Sequence, residues 1–294
     1  MLNEKTKKSC LRIRCFLTGL IILIFLISCQ TEIKFPVERS LNDQTPMTET
    51  SSIRSLCPEI QNGVEFFRDR YNPQVNLLNE SPKVAPNIYW LTNDNVLAAY
   101  VLDQIGSAES IELASSIQKG LEIYGYKENG LIEVIWGEKI DFPPKVAQPE
   151  KIFIDELITI QHEAHIGSEF MDWQEYSDLS FMGALNDYNQ GKTSEAIEVF
   201  QNTFAQFDGI GFKDKAFNNN YETYKIALAI YTAHKIDIEL KNEVDLINTL
   251  LSLQSENGGF YTHYLDRTHP VGDTNTETTA LSLLALLESQ CRED

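Results

Sequence analysis

Five carboxylates stand where a folded chain could use them. Asp94 closes the tract Tyr89-Trp90-Leu91-Thr92-Asn93, and Glu277 follows Asn275-Thr276 at the head of a long apolar run. Asp208, Asp214 and Glu222 surround the loop FDGIGFKD and the segment after it. Carboxyl groups do chemistry best in pairs, a protonated one donating while an ionised one accepts a proton or attacks. Each also has a structural reading: Asp94 could cap a helix, and Glu277 could sit in a first turn favoured by the helix dipole. His162-Glu163-Ala164-His165 resembles a zinc motif only superficially, because H-E-x-x-H needs histidines four apart and here they are three apart after a strand-like run. No metal or other cofactor is expected. His263 and His269 are candidate neutral hydrogen-bond partners, whereas His234 falls inside a helical pattern. Neither G-x-S-x-G nor G-x-x-x-x-G-K-[ST] occurs, so a hydrolase elbow and a P-loop are unsupported.

The elements that must position these residues are mostly helices. Val96, Leu97, Tyr100, Val101 and Ile105 recur at helical spacing, and apolar periodicity predicts further helices over 111–124, 173–188, 194–207, 221–236, 243–253 and 275–288. Between Leu131 and Gln161 the pattern changes. LIEVIWGEKI and KIFIDELITI are β-branched and flank the proline-rich FPPKVAQP, which predicts an inserted hairpin or two strands about a loop. Three corners share one punctuation: KENGLIEV, FDGIGFKDKAF and SENGGFYTHYL each place an amide or acid next to glycine and then an apolar or aromatic tract. YNPQVNLLNESP is a looser copy. Asn-Gly and Asp-Gly supply the left-handed residue that ends a helix. Repetition at this spacing suggests stacked helical hairpins, none able to bury its apolar face alone.

Gln254-x-x-Asn257-Gly258-Gly259-Phe260, followed by a polar loop and Thr276-Glu277-Thr278-Thr279-Ala280-Leu281, resembles the corners of α/α-toroid proteins. That group includes terpene cyclases, protein prenyltransferases, complement-type thioester domains and six-hairpin glycosidases. Residues 89–95 (YWLTNDN) look more like the glycosidase branch, where a Trp and an Asp often sit at the mouth of an early inner helix. The resemblance implies a mainly α fold, an α/α toroid of helical hairpins with an inserted β-hairpin, and a funnel at the inner-helix N-termini. Departures narrow the activity. D-x-D-D, D-D-x-x-D and C-G-E-Q are absent, and no cysteine outside the ends of the domain could hold a prenyltransferase-type zinc. A glycosidase-like site then needs two carboxylates, with Asp94, Glu277, Asp214 and Glu222 as candidates. Tyr89, Trp90, Asn95, Trp173, Tyr176, Phe212, Tyr261 and His263 are the candidate sugar contacts, Tyr261 and His263 sharing one face of an extended tract and Phe260 taking the other. The alternatives are a non-catalytic glycan- or peptide-binding protein and a structural component of the cell envelope.

Location is read from the first residues. Lys5, Lys7, Lys8, Arg12 and Arg14 precede an apolar run from Cys15 to Ser28, shorter than the roughly 20 residues a spanning helix needs. Leu26-Ile27-Ser28-Cys29 resembles the lipobox of bacterial lipoproteins, which implies a signal peptide over 1–28 and a diacylglycerol on Cys29 that anchors the protein to a membrane facing outside the cytoplasm. Residues 29–55 are polar and aperiodic and read as a flexible tether, leaving 56–294 as the folded domain. Cys57 and Cys291 then stand at its two ends, in a compartment where a disulfide joining them would persist. The chain has 24 Lys and Arg against 43 Asp and Glu, a net charge of −19, and the signal peptide would remove five of the bases. No basic stripe is left to neutralise phosphates, which excludes nucleic acid as an expected partner. Cys29→Ser is expected to leave an uncleaved precursor without lipid label; mature-sized, membrane-partitioned protein in that variant would refute the anchor.

Overall fold

The computed structural model describes residues 57–126 and 131–289. The expected signal peptide and tether, Cys29, the KENG corner and Cys291 lie outside the described residues. The chain begins with α1 (Pro58–Arg70), then β1 (Tyr71–Asn72), β2 (Leu77–Leu78) and β3 (Ile88–Trp90). A π-helical turn, Leu91–Asn95, leads into α2 (Val96–Ile105) and α3 (Ala108–Tyr124). The short α4 (Ile132–Ile135), β4 (Gln148–Phe153) and β5 (Thr159–Ala164) come next, then a 3-10 turn at Trp173–Glu175. The remainder is α5 (Ser177–Asn189), α6 (Thr193–Phe204), β6 (Tyr221–Glu222), α7 (Thr223–Lys235), α8 (Glu243–Ser252), β7 (Tyr261–Tyr264), β8 (Pro270–Thr274) and α9 (Thr276–Ser289).

Two kinds of helix can be told apart by what they bury. In α7 and α9 nearly every residue from the first turn onward is buried, on all sides. Such helices must be surrounded by protein. By contrast α6 buries only Ala196, Phe200 and Thr203, and α8 only Leu246, Ile247, Thr249 and Leu250, a single stripe each. Packing follows this division. The inner helices run side by side in the order α2, α9, α7, α5, and each is backed by an outer helix: α3 on α2, α1 on α9, α8 on α7 and α6 on α5. α4 packs on α5 and helps to close the row. Tyr231 of α7 donates to the Ile135 carbonyl at 2.6 Å, and Trp136 rests on Tyr100 of α2 with centroids 5.4 Å apart. The result is the mainly α, α/α-toroid arrangement of helical hairpins expected from the sequence, with the last helix packed against the first.

Two three-stranded sheets sit at the N-terminal ends of the inner helices. In one, β5 lies between β3, its parallel partner, and β4, its antiparallel partner. Both strands of the β4–β5 hairpin come from QPEKIFIDELITIQHEA, so KIFIDELITI contains the turn. The strand reading of LIEVIW is overturned. Ile132–Ile135 is a helical turn, with its last carbonyls held by Asn189 and Tyr231. A short buried apolar run carries no period that separates strand from helix, and tertiary partners decide. The other sheet, β6–β7–β8, ties the start of α7 to the strand pair that feeds α9.

The glycine corner before β7 is a packing device. Gly258 has φ of +85°, and a Cβ there would collide with the Asn62 carbonyl of α1. Gln254 binds the same region, donating to the carbonyls of Glu59 (2.8 Å) and Gly258 (2.9 Å). Beside the FDGIGFKD corner lies a buried ion cluster. Lys225 and Asp214, with 2% and 0% of their side chains exposed, pair at 2.6 Å, and Lys225 also pairs with Glu222. The same Asp214 oxygen accepts from Ser177 N (2.8 Å) and Oγ (2.6 Å) at the start of α5, while its other oxygen accepts from Ala216 N. Truncating one partner strands a buried charge. Asp214→Ala is therefore expected to lower unfolding stability by about 3–5 kcal/mol, and adding Lys225→Met to recover part of it. Chemical denaturation checks both.

Candidate active site

The first turns of the inner helices converge on one cavity of about 160 Å³. Glu277 from α9, Asp178 and Tyr224 from the first turns of α5 and α7, Glu163 from β5 and Asn93 from the π-helical turn supply its polar wall. Ile132, Met182, Leu228 and Leu281 supply the apolar one. Three carboxyl groups thus face one volume.

Their hydrogen bonds fix them individually. Thr92 donates its hydroxyl to Asn93 Oδ1 at 2.9 Å, which orients the Asn93 amide to donate to Glu163 Oε2 at 2.7 Å. The Glu163 backbone N–H returns to Thr92 Oγ1 at 3.2 Å, locking the strand to the turn. Tyr224 donates to Asp178 Oδ2 at 3.2 Å, while Asp178 Oδ1 is buried without a donor. Burial, then the nearby Asp178 and Glu222 carboxylates, holds the Tyr224 phenol well above its usual range, so it remains a donor. Asp178 itself is raised by burial, against which the charge of Lys225 acts in part.

Behind this wall lies a second acidic pair. Asp94 is 4% exposed and close enough to Glu80 for the two charges to act on each other, while one oxygen of each is buried without a donor. Burial raises the Asp94 acid well above the carboxylate range, and the charges of Glu80, Glu277 and Glu163 add to the effect. The loop carrying Glu80 is pinned to the head of α9. Asn275 Nδ2 donates to Glu80 Oε1 (3.0 Å), Thr276 N to the Glu80 carbonyl (3.0 Å) and Thr276 Oγ1 to the Asn79 carbonyl (2.8 Å). Asn275 also caps α9, accepting from Thr278 N at 2.9 Å. Glu277 consequently stands among acids from four elements. Burial first, then Glu80, Glu163, Asp178 and Glu222, pushes its carboxyl up to about 8.

Of the sequence-derived candidates, Glu277 lines the cavity, and Asp94 lies buried beside it. Glu222 is close enough for its charge to raise Glu277 and Asp178, but its own ion pair is with Lys225. Asp214 is not at the site. Its oxygens are taken by Lys225, Ser177 and Ala216, and those partners hold it below the usual range although burial alone would raise it. Asp208 is likewise committed, to Lys213, Tyr221 and two loop N–H groups.

The aromatic candidates are mostly packing. Phe212 is 3% exposed within a ring cluster of Phe181, Phe200, Phe204 and Phe207. Tyr176 rests on Phe170 beneath Lys215, Trp173 rests on Phe142, and the Tyr89 hydroxyl accepts from Asn72 at 3.0 Å. Asn95 binds Leu78 N, Leu78 O and the Trp90 carbonyl, a brace for the strand end that Trp90 occupies. Tyr261 and His263 do not reach the Glu277 cavity. The glycine corner turns Phe260 into the core, where its N–H donates to Thr279 Oγ1, and β7 is then absorbed into the second sheet with a bulge between Tyr261 and His263. Tyr261 lines a separate surface depression with Gln254 and Pro270, and His263 contacts Thr262. His269 is exposed against Asp266.

Sequence reasoning missed Glu163, Asp178, Tyr224 and Glu80. An acid at a helix start was the right signal for Asp178, but the predicted helix began at Trp173 rather than Ser177 and hid it inside the element. His165, refused as a zinc ligand, lines the cavity beside Glu163.

A glutamate whose acid is raised from about 4.5 to about 8 stabilises the fold fully below pH of about 4.5 and loses that contribution as pH rises through about 8. Glu277→Gln removes this dependence. It is expected to flatten the fall in stability across that window and to exceed wild type at pH near 8 by on the order of 2 kcal/mol; thermal melts across the range check it.

No protein-family model matches the chain, and no curated protein does. Among solved structures the chain is similar to an inactive variant of an alpha-1,6-mannanase from Salegentibacter sp. HEL1_6 in complex with alpha-1,6-mannotriose, at 12% identity and a TM-score of 0.47, over 79% of this chain and 98% of that one.

Proposed function

We infer that the cavity at the inner-helix N-termini is a carbohydrate-active site of glycoside-hydrolase type. The observation that carries this reading is the meeting of Glu277, Asp178 and Glu163 around one volume, with the Glu277 acid raised to about 8. Glycoside cleavage needs a carboxylic acid that is still protonated near neutrality and a second carboxyl group to act as base or nucleophile. Glu277 is the candidate acid. Glu163, oriented by Asn93, is the candidate base or nucleophile, and Asp178 with Tyr224 offers a hydroxyl-binding pair. The protein would act at the cell envelope, held there by lipid on Cys29, with Cys57 and Cys291 bridged. Cys57 is disulfide-bonded, in keeping with that pairing.

The test is incubation of the mature protein with a panel of oligosaccharides ending in mannose, glucose, galactose or N-acetylglucosamine, with products resolved by chromatography. Hydrolysis of one class is expected, falling as pH rises through about 8, and reduced by about 10²–10⁴-fold in Glu277→Gln. Binding without turnover by wild type would replace the enzyme with a glycan-binding protein.

A further inference from the structure

His165 lines the cavity among the inner helices. The same imidazole lines a second, open depression of about 400 Å³, formed by residues 140–145 together with Glu169. This segment is tied to the stretch 167–170. Val146 N donates to the Ser168 carbonyl (2.9 Å), Gly167 N to the Val146 carbonyl (3.0 Å) and Phe170 N to the Pro144 carbonyl (2.7 Å). At its start, the Asn186 amide of α5 binds both Ile140 N (2.9 Å) and the Ile140 carbonyl (3.1 Å). The depression is therefore a formed surface.

Its lining has two characters. Phe142 and the prolines Pro143 and Pro144 give it an apolar floor, and Asp141, Lys145 and Glu169 give it a charged rim. The Phe142 ring is partly exposed and is backed by Trp173, edge to face, with centroids 5.0 Å apart. Trp173 is itself seated against Gly183, where a Cβ would collide with its ring. A flat apolar face supported from behind and rimmed by polar groups matches a sugar ring, which has an apolar face and a hydroxyl edge. At the junction, His165 Nδ1 lies 2.8 Å from the Lys145 carbonyl. A carbonyl only accepts, so Nδ1 is the donor and Nε2 is the ring nitrogen left for a ligand.

We propose that this depression is an outer sugar subsite, with Phe142 as its floor and His165 at the junction, which binds the residue adjoining the one held beside Glu277. The proposal rests on the reading of the inner cavity as a glycan site. Together the two volumes favour an oligosaccharide with one residue beside Glu277 and the next over Phe142.

Calorimetric titration of the mature protein tests this. The probes are methyl glycosides of mannose, glucose, galactose and N-acetylglucosamine and the matching homodisaccharides, with Glu277→Gln as background to prevent turnover. For the sugar that binds, the disaccharide is expected to bind at least tenfold more tightly than the monosaccharide. Phe142→Ala should remove that gain and leave monosaccharide affinity unchanged. Phe142→Leu, which keeps apolar volume against Trp173 but loses the flat face, should do the same if Phe142→Ala fails to fold. Equal affinity for the two sizes, or equal loss of both in the variants, overturns the outer subsite and leaves the inner one standing. Absence of binding by every sugar of either size overturns the inner reading and this one with it.

Discussion

The constraint on which the rest of this structure depends is mutual repulsion among acids that the fold nevertheless gathers. Glu80, Asp94, Glu163, Asp178 and Glu277 come from a loop, a π-helical turn, a strand and the first turns of two helices, and the charges of several act on their neighbours. Left ionised in a low-dielectric pocket, such a group would push the ring apart. The chain meets this in two ways. Asp94 and Glu277 hold their protons more tightly than ordinary carboxyl groups, and helix N-termini, each a partial positive charge, point at the cluster. The architecture that brings several helix starts to one place is thus also the one that makes the gathering tolerable.

The buried Lys225 completes the arrangement from the side. It neutralises Asp214 and Glu222 and keeps the rise in Asp178 smaller than burial alone would make it. Two neighbouring groups of acids are thereby given different tasks. One is paired, saturated with hydrogen bonds and structural; the other is short of donors and faces an empty volume. Buried carboxylate oxygens without donors, as on Asp178, Asp94 and Glu80, mark where the fold has not optimised its own stability.

Much of this was legible in the sequence, and the losses have identifiable causes. α7 and α9 were legible as long helical apolar patterns, and Glu277 by its place at a helix start. α1 was not among the expected helices, and it contains Asn62-Gly63, a pair that ordinarily marks a turn. Gly63 belongs inside that helix because Leu283 of α9 occupies the space a side chain would need, a fact of tertiary packing. Glu163 was hidden for a similar reason. The face a strand residue presents depends on register, and β5 takes its register from β3, roughly seventy positions earlier in the chain. Asp214 and Tyr261 had the right residue types beside the right corners, and tertiary packing decides whether a corner side chain turns inward to an ion pair, outward to a sheet or into a cavity.

The last helix packs on the first, and that has a kinetic meaning. α9 lies between α2 and α7 and against α1, so the inner row has a gap until the final element arrives. Contacts between segments so distant in sequence carry a large loop-closure cost and form late. Glu277 and the cap residue Asn275, which holds Glu80, arrive on that same element. The acidic cluster is therefore assembled in the step that closes the ring. A chain without α9 in place does not hold these charges together, and the apolar burial of α9 accompanies the repulsion that it completes.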